Sequence, residues 1–515
     1  GSCPCTAGDE KYDIINGAFG IVMDVNSGQI LAMANLGSYD PNNYAVVYDT
    51  KTAEELEDQY QAAMEESGEL QEQLLSAYNT AVANARLTQW RNRVISDGYE
   101  QGSTFKSITM ATAVEEGAVS LSDSFYCSGY LQVQDAKIGC SKTSGHGAQT
   151  FTQALTNSCN PAFMEIGLRL GIDKFSYYLQ GFGLKEKTGV DLPGEVAGVC
   201  VKKDTMSLVD LASSAFGQAN ELTALELITA YSAAINGGEL ITPYVVDHVT
   251  DTNGNVVLQN GKKVKRQVIS EETSKTVREQ LQAVVDNNPT HNAYIQGYKI
   301  GGKSGTAEIR ATRDIEDDYV SSYCCFAPAD DPELIMLIQA DYPDPSIGYY
   351  GSQVVTPYAR DIMEEILPYM GFYPEYSSED YDTMNVSVPL LTNSDTESAK
   401  ATLDQLGLTY EVVGSGTSVL SQSPTTGTNM AKGGKVILYT EQTTQQDLVT
   451  VPNVVGMSLS EANATLTNSG LNYTALGGTS EDSSATVRFQ SAAEGTQLAR
   501  GSTVTLTLVS GEVND

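Results

Sequence analysis

The last quarter of the chain repeats itself, and this limits the fold more than any other feature. Val386-Ser387-Val388-Pro389 matches Val449-Thr450-Val451-Pro452 at an offset of 63. Ala399, Leu403, Gly407-Leu408 and Tyr410 match Ala462, Leu466, Gly470-Leu471 and Tyr473 at the same offset. Gln422 then matches Gln490, and Gly427-Thr428 matches Gly495-Thr496, at an offset of 68. Five extra residues therefore fall inside the second copy, near 477–484. Self-similarity at such a period marks tandem modules, not one continuous core. Each copy reads as a strand, a helix and further strands, over 385–442 and 449–511. A linker rich in tyrosine and acidic residues covers 368–384.

Upstream, residues 15–367 are enough for one large domain. Residues 1–14 read as a lead-in, with Gly1-Ser2 as a cleavage scar. Apolar runs at 19–25 and 29–34 flank Asn26-Ser27-Gly28, a hairpin signal. Residues 52–88 are rich in Glu, Ala, Leu and Gln and lack Pro, which predicts an exposed helical insertion. Helical patterns fill 106–116, 153–170 and 206–236. Strand patterns return at 243–250 and 256–258, then at 297–309 and 319–342 after a helix near 270–285. Strands at both ends of a helical middle predict an α/β fold, with the first strands pairing with the last in one sheet between helical layers.

The chain carries 65 acidic and 30 basic residues, a net charge of −35. Such a surface repels phosphate backbones and anionic headgroups, which excludes nucleic acid as a partner. No apolar run is long enough to span a bilayer.

Ser103-Thr104-Phe105-Lys106 is the only Ser-x-x-Lys in the chain. A loop precedes it and a helix follows. Helical spacing brings the Ser103 hydroxyl and the Lys106 amine to one face. Backbone N–H groups at a helix start favour a developing negative charge. Serine becomes a nucleophile only when a neighbour takes its proton, and lysine does so only when neutral. Burial and a second cation both lower a lysine pKa. Lys303 in Lys303-Ser304-Gly305-Thr306 is the candidate second cation, on a strand of small residues whose edge can pair with a substrate backbone. Ser304 and Thr306 add hydroxyls. Ser158-Cys159-Asn160 lies just before Pro161, which suits a helix start and leaves Ser158 and Asn160 on the preceding loop. Lys187-Thr188-Gly189 also fits the Lys-Ser/Thr-Gly pattern. It leads into a turn, not a small-residue strand, and is set aside.

Eight cysteines and three histidines show no Cys-x-x-Cys or His-x-x-x-His spacing, so no metal and no cofactor are expected. Cys127 and Cys140 bracket a hairpin-like stretch. They read as either a disulfide or two reduced, half-buried thiols. His146 reads as a loop histidine rather than a catalytic one.

Together, Ser-x-x-Lys, Ser-x-Asn and Lys-Ser-Gly-Thr in this order resemble penicillin-binding proteins and class A β-lactamases. Trp90-Arg91-Asn92-Arg93, Asn157–Pro161, Gly189–Glu195 and Phe326-Ala327-Pro328-Ala329 extend the likeness to class B penicillin-binding proteins. The likeness covers about 15–367 and is closest to the stage V sporulation protein D-like and division transpeptidases of Firmicutes. The two repeats resemble PASTA domains. The resemblance implies an antiparallel sheet between helical layers, followed by two small α+β modules. It implies a D,D-transpeptidase that cross-links peptidoglycan stem peptides through a Ser103 acyl-enzyme and is acylated by β-lactams. Lys106, Ser158, Asn160 and Lys303 would be catalytic, Ser304, Gly305 and Thr306 would bind substrate, and the N–H groups of Ser103 and Thr306 would form the oxyanion hole. It further implies work at the extracytoplasmic face of the cell membrane beside a glycosyltransferase and division or sporulation proteins, with the family's anchor and pedestal absent from this chain. The repeats would bind peptidoglycan or β-lactams, or serve as docking spacers. A D,D-carboxypeptidase, a β-lactamase and a non-catalytic wall-binding scaffold are the competing readings. Two departures from the family stand out. Gln101 replaces a usual proline, which would loosen the loop before Ser103. Cys324-Cys325 occupies apolar positions, where it would pack as apolar residues do.

Overall fold

The hairpin around Asn26-Ser27-Gly28 forms and joins a larger sheet. Strands β1 (Gly17–Asp24) and β2 (Ile30–Asn35) pair antiparallel around it. Gly28 takes φ +80°, and a Cβ there would lie 2.9 Å from Ile241, so only glycine fits this turn. The computed structural model describes residues 17–287, 292–309, 318–343, 348–372, 385–441, 447–476 and 486–509. The lead-in 1–14, linker residues 373–384 and the insertion near 477–484 lie outside them.

The acidic insertion is the helix pair α1 (Thr50–Glu65) and α2 (Gly68–Trp90). Only Leu56 and Ala63 of α1 are buried, and none of α2, as the dense glutamates require. Helix α3 (Lys106–Glu115) is the opposite case, with residues 106–113 all buried. Two nested hairpins follow. Strand β3 (Ser124–Cys127) encloses β4 (Tyr130–Val133) and β5 (Ala136–Gly139) and pairs with β6 (Gly147–Thr150).

The helical pattern over 153–170 divides before Pro161 into α4 (Phe151–Thr156) and α5 (Asn160–Gly181), the latter kinked at Gly171. Pro161 lacks an N–H and fits only a first turn, so the chain must break before it. The pattern over 206–236 also divides, into α6 (Leu208–Ala215) and α7 (Ala224–Ile235). Gly217 (φ +94°) makes that break, and a Cβ on it would lie 1.8 Å from the Gly102 carbonyl oxygen. Its own carbonyl accepts from the Gly102 N–H at 2.9 Å. The break thereby presses the chain against the residue before Ser103. All twelve residues of α7 are buried, and a Thr223/Glu226 capping box starts it. Within 243–250 only His248–Thr250 is a strand, paired with Val256–Gln259.

Helix α8 (Glu271–Asp286) leads to β7 (Gly301–Glu308), β8 (Tyr319–Ala327), β9 (Leu334–Asp341) and helix α9 (Thr356–Tyr369). The sheet order is β7-β8-β9-β1-β2, antiparallel throughout. The first strand pairs with the last, Gly17 opposite Asp341. Arg93 pairs with Asp341 and ties the segment after α2 to this seam. Helix α7 packs on β9 and α8 on β7. Cys324 and Cys325 are buried in β8. Strand β7 is a sheet edge.

The two repeats form equivalent modules. The first has a helix at Thr396–Gln405 and a parallel pair, Thr409–Val413 with Lys435–Tyr439, flanked by Ser421–Ser423. The second has a helix at Leu459–Asn468 and the pair Asn472–Leu476 with Thr503–Val509, flanked by Thr486–Gln490. The cores correspond: Val388, Leu403 and Leu438 match Val451, Leu466 and Leu506. The repeated glutamines explain themselves. Gln422 accepts from the Leu391 N–H and donates to the Pro389 carbonyl. Gln490 does the same with Val454 and Pro452. No helix among the described residues is long and apolar enough to cross a membrane.

Candidate active site

Ser103 sits in a single 3-10 turn, Gly102–Phe105, that runs directly into α3. Gly102 takes φ +55°, and a Cβ on it would lie 2.4 Å from the Thr306 carbonyl oxygen and 3.1 Å from the Thr306 nitrogen. The turn can therefore pack against the β7 backbone only because residue 102 is glycine. Gln101 does not loosen this loop. It is 1% exposed, and its side-chain amide donates to the carbonyls of Tyr99 (2.7 Å) and Leu222 (2.8 Å). Two hydrogen bonds replace the rigidity of a proline ring.

Lys106 is fully buried, and its Nζ lies 2.9 Å from Ser103 Oγ. It also lies 2.7 Å from the Ser158 carbonyl oxygen, 2.8 Å from Asn160 Oδ1 and 3.1 Å from Ser158 Oγ. Two of these neighbours are carbonyl oxygens, which only accept. A neutral amine has two N–H donors, which these oxygens satisfy, and one lone pair, which is left for the Ser103 hydroxyl. Burial holds the Lys106 pKa well below the usual lysine range, and the Lys303 charge lowers it further, against a smaller opposing effect of Cys140 and Cys159. The second cation is therefore the lesser cause.

The Ser158 contacts depend on a helix end. Ser158 N–H donates to the Leu155 carbonyl and Cys159 N–H to the Ala154 carbonyl, and Ser158 takes φ +51°. This is a Schellman turn with serine where glycine is usual, at a cost of about 1–3 kcal/mol. The turn lets the carbonyl and the hydroxyl of Ser158 both face Lys106. Asn160 occupies the first turn of α5, and its Nδ2 donates to the Gly139 carbonyl at 3.4 Å.

Lys303 is 2% exposed on β7, and its Nζ donates to the Ser304 carbonyl at 3.0 Å. Burial pulls its pKa down to about 7. Ser103, Ser158, Asn160, Lys303, Ser304 and Thr306 line one cavity of about 350 Å³. Gly305 does not line it. A Cβ at Gly305 would meet Ser322 Oγ at 2.6 Å and the Gln101 carbonyl at 2.8 Å, so glycine here keeps β7 close to the loop before Ser103. Thr306 Oγ1 accepts from the Gly351 N–H at 3.0 Å. Phe216, Gln218, Tyr350 and Ser352 also line the cavity, and sequence reasoning gave no sign of them because they belong to segments without a motif. Lys187 and Thr188 do not line the cavity, and Thr188 instead donates to Glu195.

The sequence leaves two readings open for Cys127 and Cys140. Cys127 and Cys140 are free thiols, not a disulfide, and both are buried. The Cys140 sulfur lies 3.6 Å from His146 Nδ1. The Cys159 thiol hydrogen-bonds to it and is the chief cause that holds the Cys140 thiol well below the usual thiol range. Cys127, Cys140, His146 and Cys159 form one cluster. The spacing rules missed it because its members come from four separate segments.

Residues 18–364 match the family model described as the penicillin binding protein transpeptidase domain. Residues 386–442 and 449–510 each match the PASTA domain. Stage V sporulation protein D of Bacillus subtilis is 34% identical over 432 residues, covering 82% of this chain and 61% of that protein. The peptidoglycan D,D-transpeptidase FtsI homolog of Mesostigma viride is 27% identical, covering 67% of this chain and 56% of that protein. The chain thus spans less than two thirds of either relative. Among solved structures, the D,D-transpeptidase domain of the peptidoglycan glycosyltransferase from Eggerthella lenta superposes with a TM-score of 0.57 at 26% identity, covering 70% of this chain and 79% of that one. The transpeptidase domain of penicillin-binding protein 3 from Burkholderia pseudomallei gives 0.53 at 23% identity, covering 70% and 90%, a likeness of fold.

Proposed function

The chain belongs to the penicillin-binding protein transpeptidase family, and from that premise we propose that it is a peptidoglycan D,D-transpeptidase acting through a Ser103 acyl-enzyme. One observation carries the reading. The amine of Lys106 is buried 2.9 Å from Ser103 Oγ, with carbonyl oxygens placed to take its N–H groups.

Neutral Lys106 takes the Ser103 proton as Oγ attacks the carbonyl of the penultimate D-alanine of a stem peptide. The N–H groups of Ser103 and Thr306, brought together by Gly102, stabilise the oxyanion. Lys106 returns the proton, by way of Ser158, to the departing D-alanine. Its carboxylate is held by the Lys303 ammonium with the hydroxyls of Ser304 and Thr306. The donor peptide lies along the free edge of β7. An amine from a second stem peptide then attacks the ester and releases Ser103. β-Lactams enter as donors and acylate the same oxygen. The enzyme works on the extracytoplasmic side of the cell membrane, in partnership with a glycosyltransferase and division or sporulation proteins. The PASTA modules bind the wall or dock the enzyme to it.

The acceptor decides between transfer and hydrolysis. Purified chain supplied with a D-Ala-D-Ala donor peptide and an excess of acceptor peptide amine should yield the ligated product. With labelled penicillin it should hold the label for hours. Hydrolysis without ligation would make it a carboxypeptidase, and loss of the label within seconds would make it a β-lactamase.

The two lysines set opposite pH limits. Lys106 works when neutral, so acylation falls as pH drops through its lowered pKa. Lys303 works when charged, so carboxylate binding fades as pH rises through about 7. Acylation of Ser103 against pH should be bell-shaped, with the alkaline limb near neutrality. In Lys303→Arg, which stays charged, that limb should disappear.

A further inference from the structure

We propose that Cys127, Cys140, His146 and Cys159 bind one zinc ion that fixes the Ser158–Asn160 side of the site. The three sulfurs and a His146 nitrogen all lie within 4.8 Å of one another. A tetrahedral zinc with three thiolates and one imidazole needs S···S edges of about 3.8 Å and S···N edges of about 3.6 Å. Cys140 Sγ and His146 Nδ1 already lie 3.6 Å apart.

The surrounding chain is shaped for this convergence. Cys127 ends β3 opposite Gly147, which places it beside His146. Cys140 directly follows β5, and its N–H donates to the Gly129 carbonyl at 2.8 Å. Two glycines let these segments touch. A Cβ on Gly129 would lie 2.0 Å from the Thr143 carbonyl oxygen, and one on Gly145 would lie 2.3 Å from the Cys127 carbonyl oxygen. The three cysteines are 1%, 4% and 0% exposed. Apolar packing alone accounts for buried thiols, as at Cys324 and Cys325. It does not require three sulfurs and an imidazole to face a single point.

The donor set is that of a closed structural zinc site, with no position for water. Soft thiolates favour zinc over magnesium or calcium. Binding displaces whatever protons the thiols still hold, and Zn²⁺ with three thiolates and a neutral imidazole carries one net negative charge. Cys159 stands between Ser158 and Asn160, whose oxygens hold Lys106. The ion would therefore join both hairpins to the turn that positions the base.

The test is native mass spectrometry of the full chain, purified with zinc and reductant. It should show about one zinc per chain. Cys140→Ser and His146→Ala should lose it, and Cys200→Ser, outside the cluster, should keep it. Cobalt in place of zinc should give thiolate charge-transfer bands and intense tetrahedral d–d bands in the wild type, a readout that no misfolded variant can confuse. Removing the metal should lower the melting temperature and slow penicillin acylation by up to about a hundredfold, restored by zinc. The proposal is overturned if the reduced wild type takes up no zinc and gives no tetrahedral cobalt spectrum. It is equally overturned if full zinc survives Cys140→Ser, or if the isolated protein is two hydrogens lighter through a Cys140–Cys159 bond and binds no metal once reduced.

Discussion

Replacing Ser103 with alanine should lower the rate of β-lactam acylation by roughly ten-thousand- to a million-fold. The chemistry is confined to one oxygen. Ser103 Oγ is the hydroxyl that shares both the turn at the start of α3 and a 2.9 Å contact with the buried amine. Ser158 Oγ also approaches that amine, at 3.1 Å, but the N–H groups of Ser158 and Cys159 beside it already donate to the Leu155 and Ala154 carbonyls and cannot serve an oxyanion. The alanine variant should fold normally. Lys106 keeps the Ser158 carbonyl, Ser158 Oγ and Asn160 Oδ1, so the loss of one hydrogen bond costs about 1 kcal/mol. Stopped-flow labelling with fluorescent penicillin, alongside a melting curve, checks both halves. Labelling of Ser103→Ala at the wild-type rate would move the nucleophile elsewhere.

Lys106→Arg is the second large effect and separates two roles of the lysine. If Lys106 acts as a base, arginine fails, because it stays protonated and offers no lone pair. Acylation should then fall by about a hundred- to ten-thousand-fold. If Lys106 served only as a positive charge for the oxyanion, arginine would keep most of the rate. Lys106→Ala should lose as much activity and also stability, about 1–3 kcal/mol for each buried carbonyl left without a donor. Added small primary amines should restore part of the alanine variant's rate and none of the arginine variant's. Rates measured across pH, with and without methylamine, make the comparison.

These predictions rest on what the sequence carried and on what it could not. Ser103 and Lys106 were legible because helical geometry brings i and i+3 together, a local rule that needs no tertiary knowledge. The tandem modules were legible because equivalent residues have equivalent duties, as Gln422 and Gln490 show. The position of Lys303 on a strand of small residues was legible for the same local reason. The weight given to its charge was not. Burial of Lys106 is the larger influence on its pKa, and burial depends on the whole core. The helix break before Pro161 was legible, because proline suits a first turn, whereas the break at Gly217 was hidden by a continuous apolar pattern. The Ser158 carbonyl, the nearest neighbour of Lys106, is a backbone atom whose direction depends on a positive φ. Two cysteines flanking one hairpin left a disulfide and a pair of free thiols equally open for Cys127 and Cys140. The structure instead draws both toward Cys159 and His146, which only the fold brings near.

The central claim is that Ser103 carries the acyl group. Intact-mass and peptide-mapping mass spectrometry of the penicillin-treated chain tests it most directly. The account predicts a single adduct of the penicillin mass, located on the peptide containing Ser103 and absent from Ser103→Ala. An adduct mapped to any other residue, or none after prolonged incubation of folded protein, would contradict it.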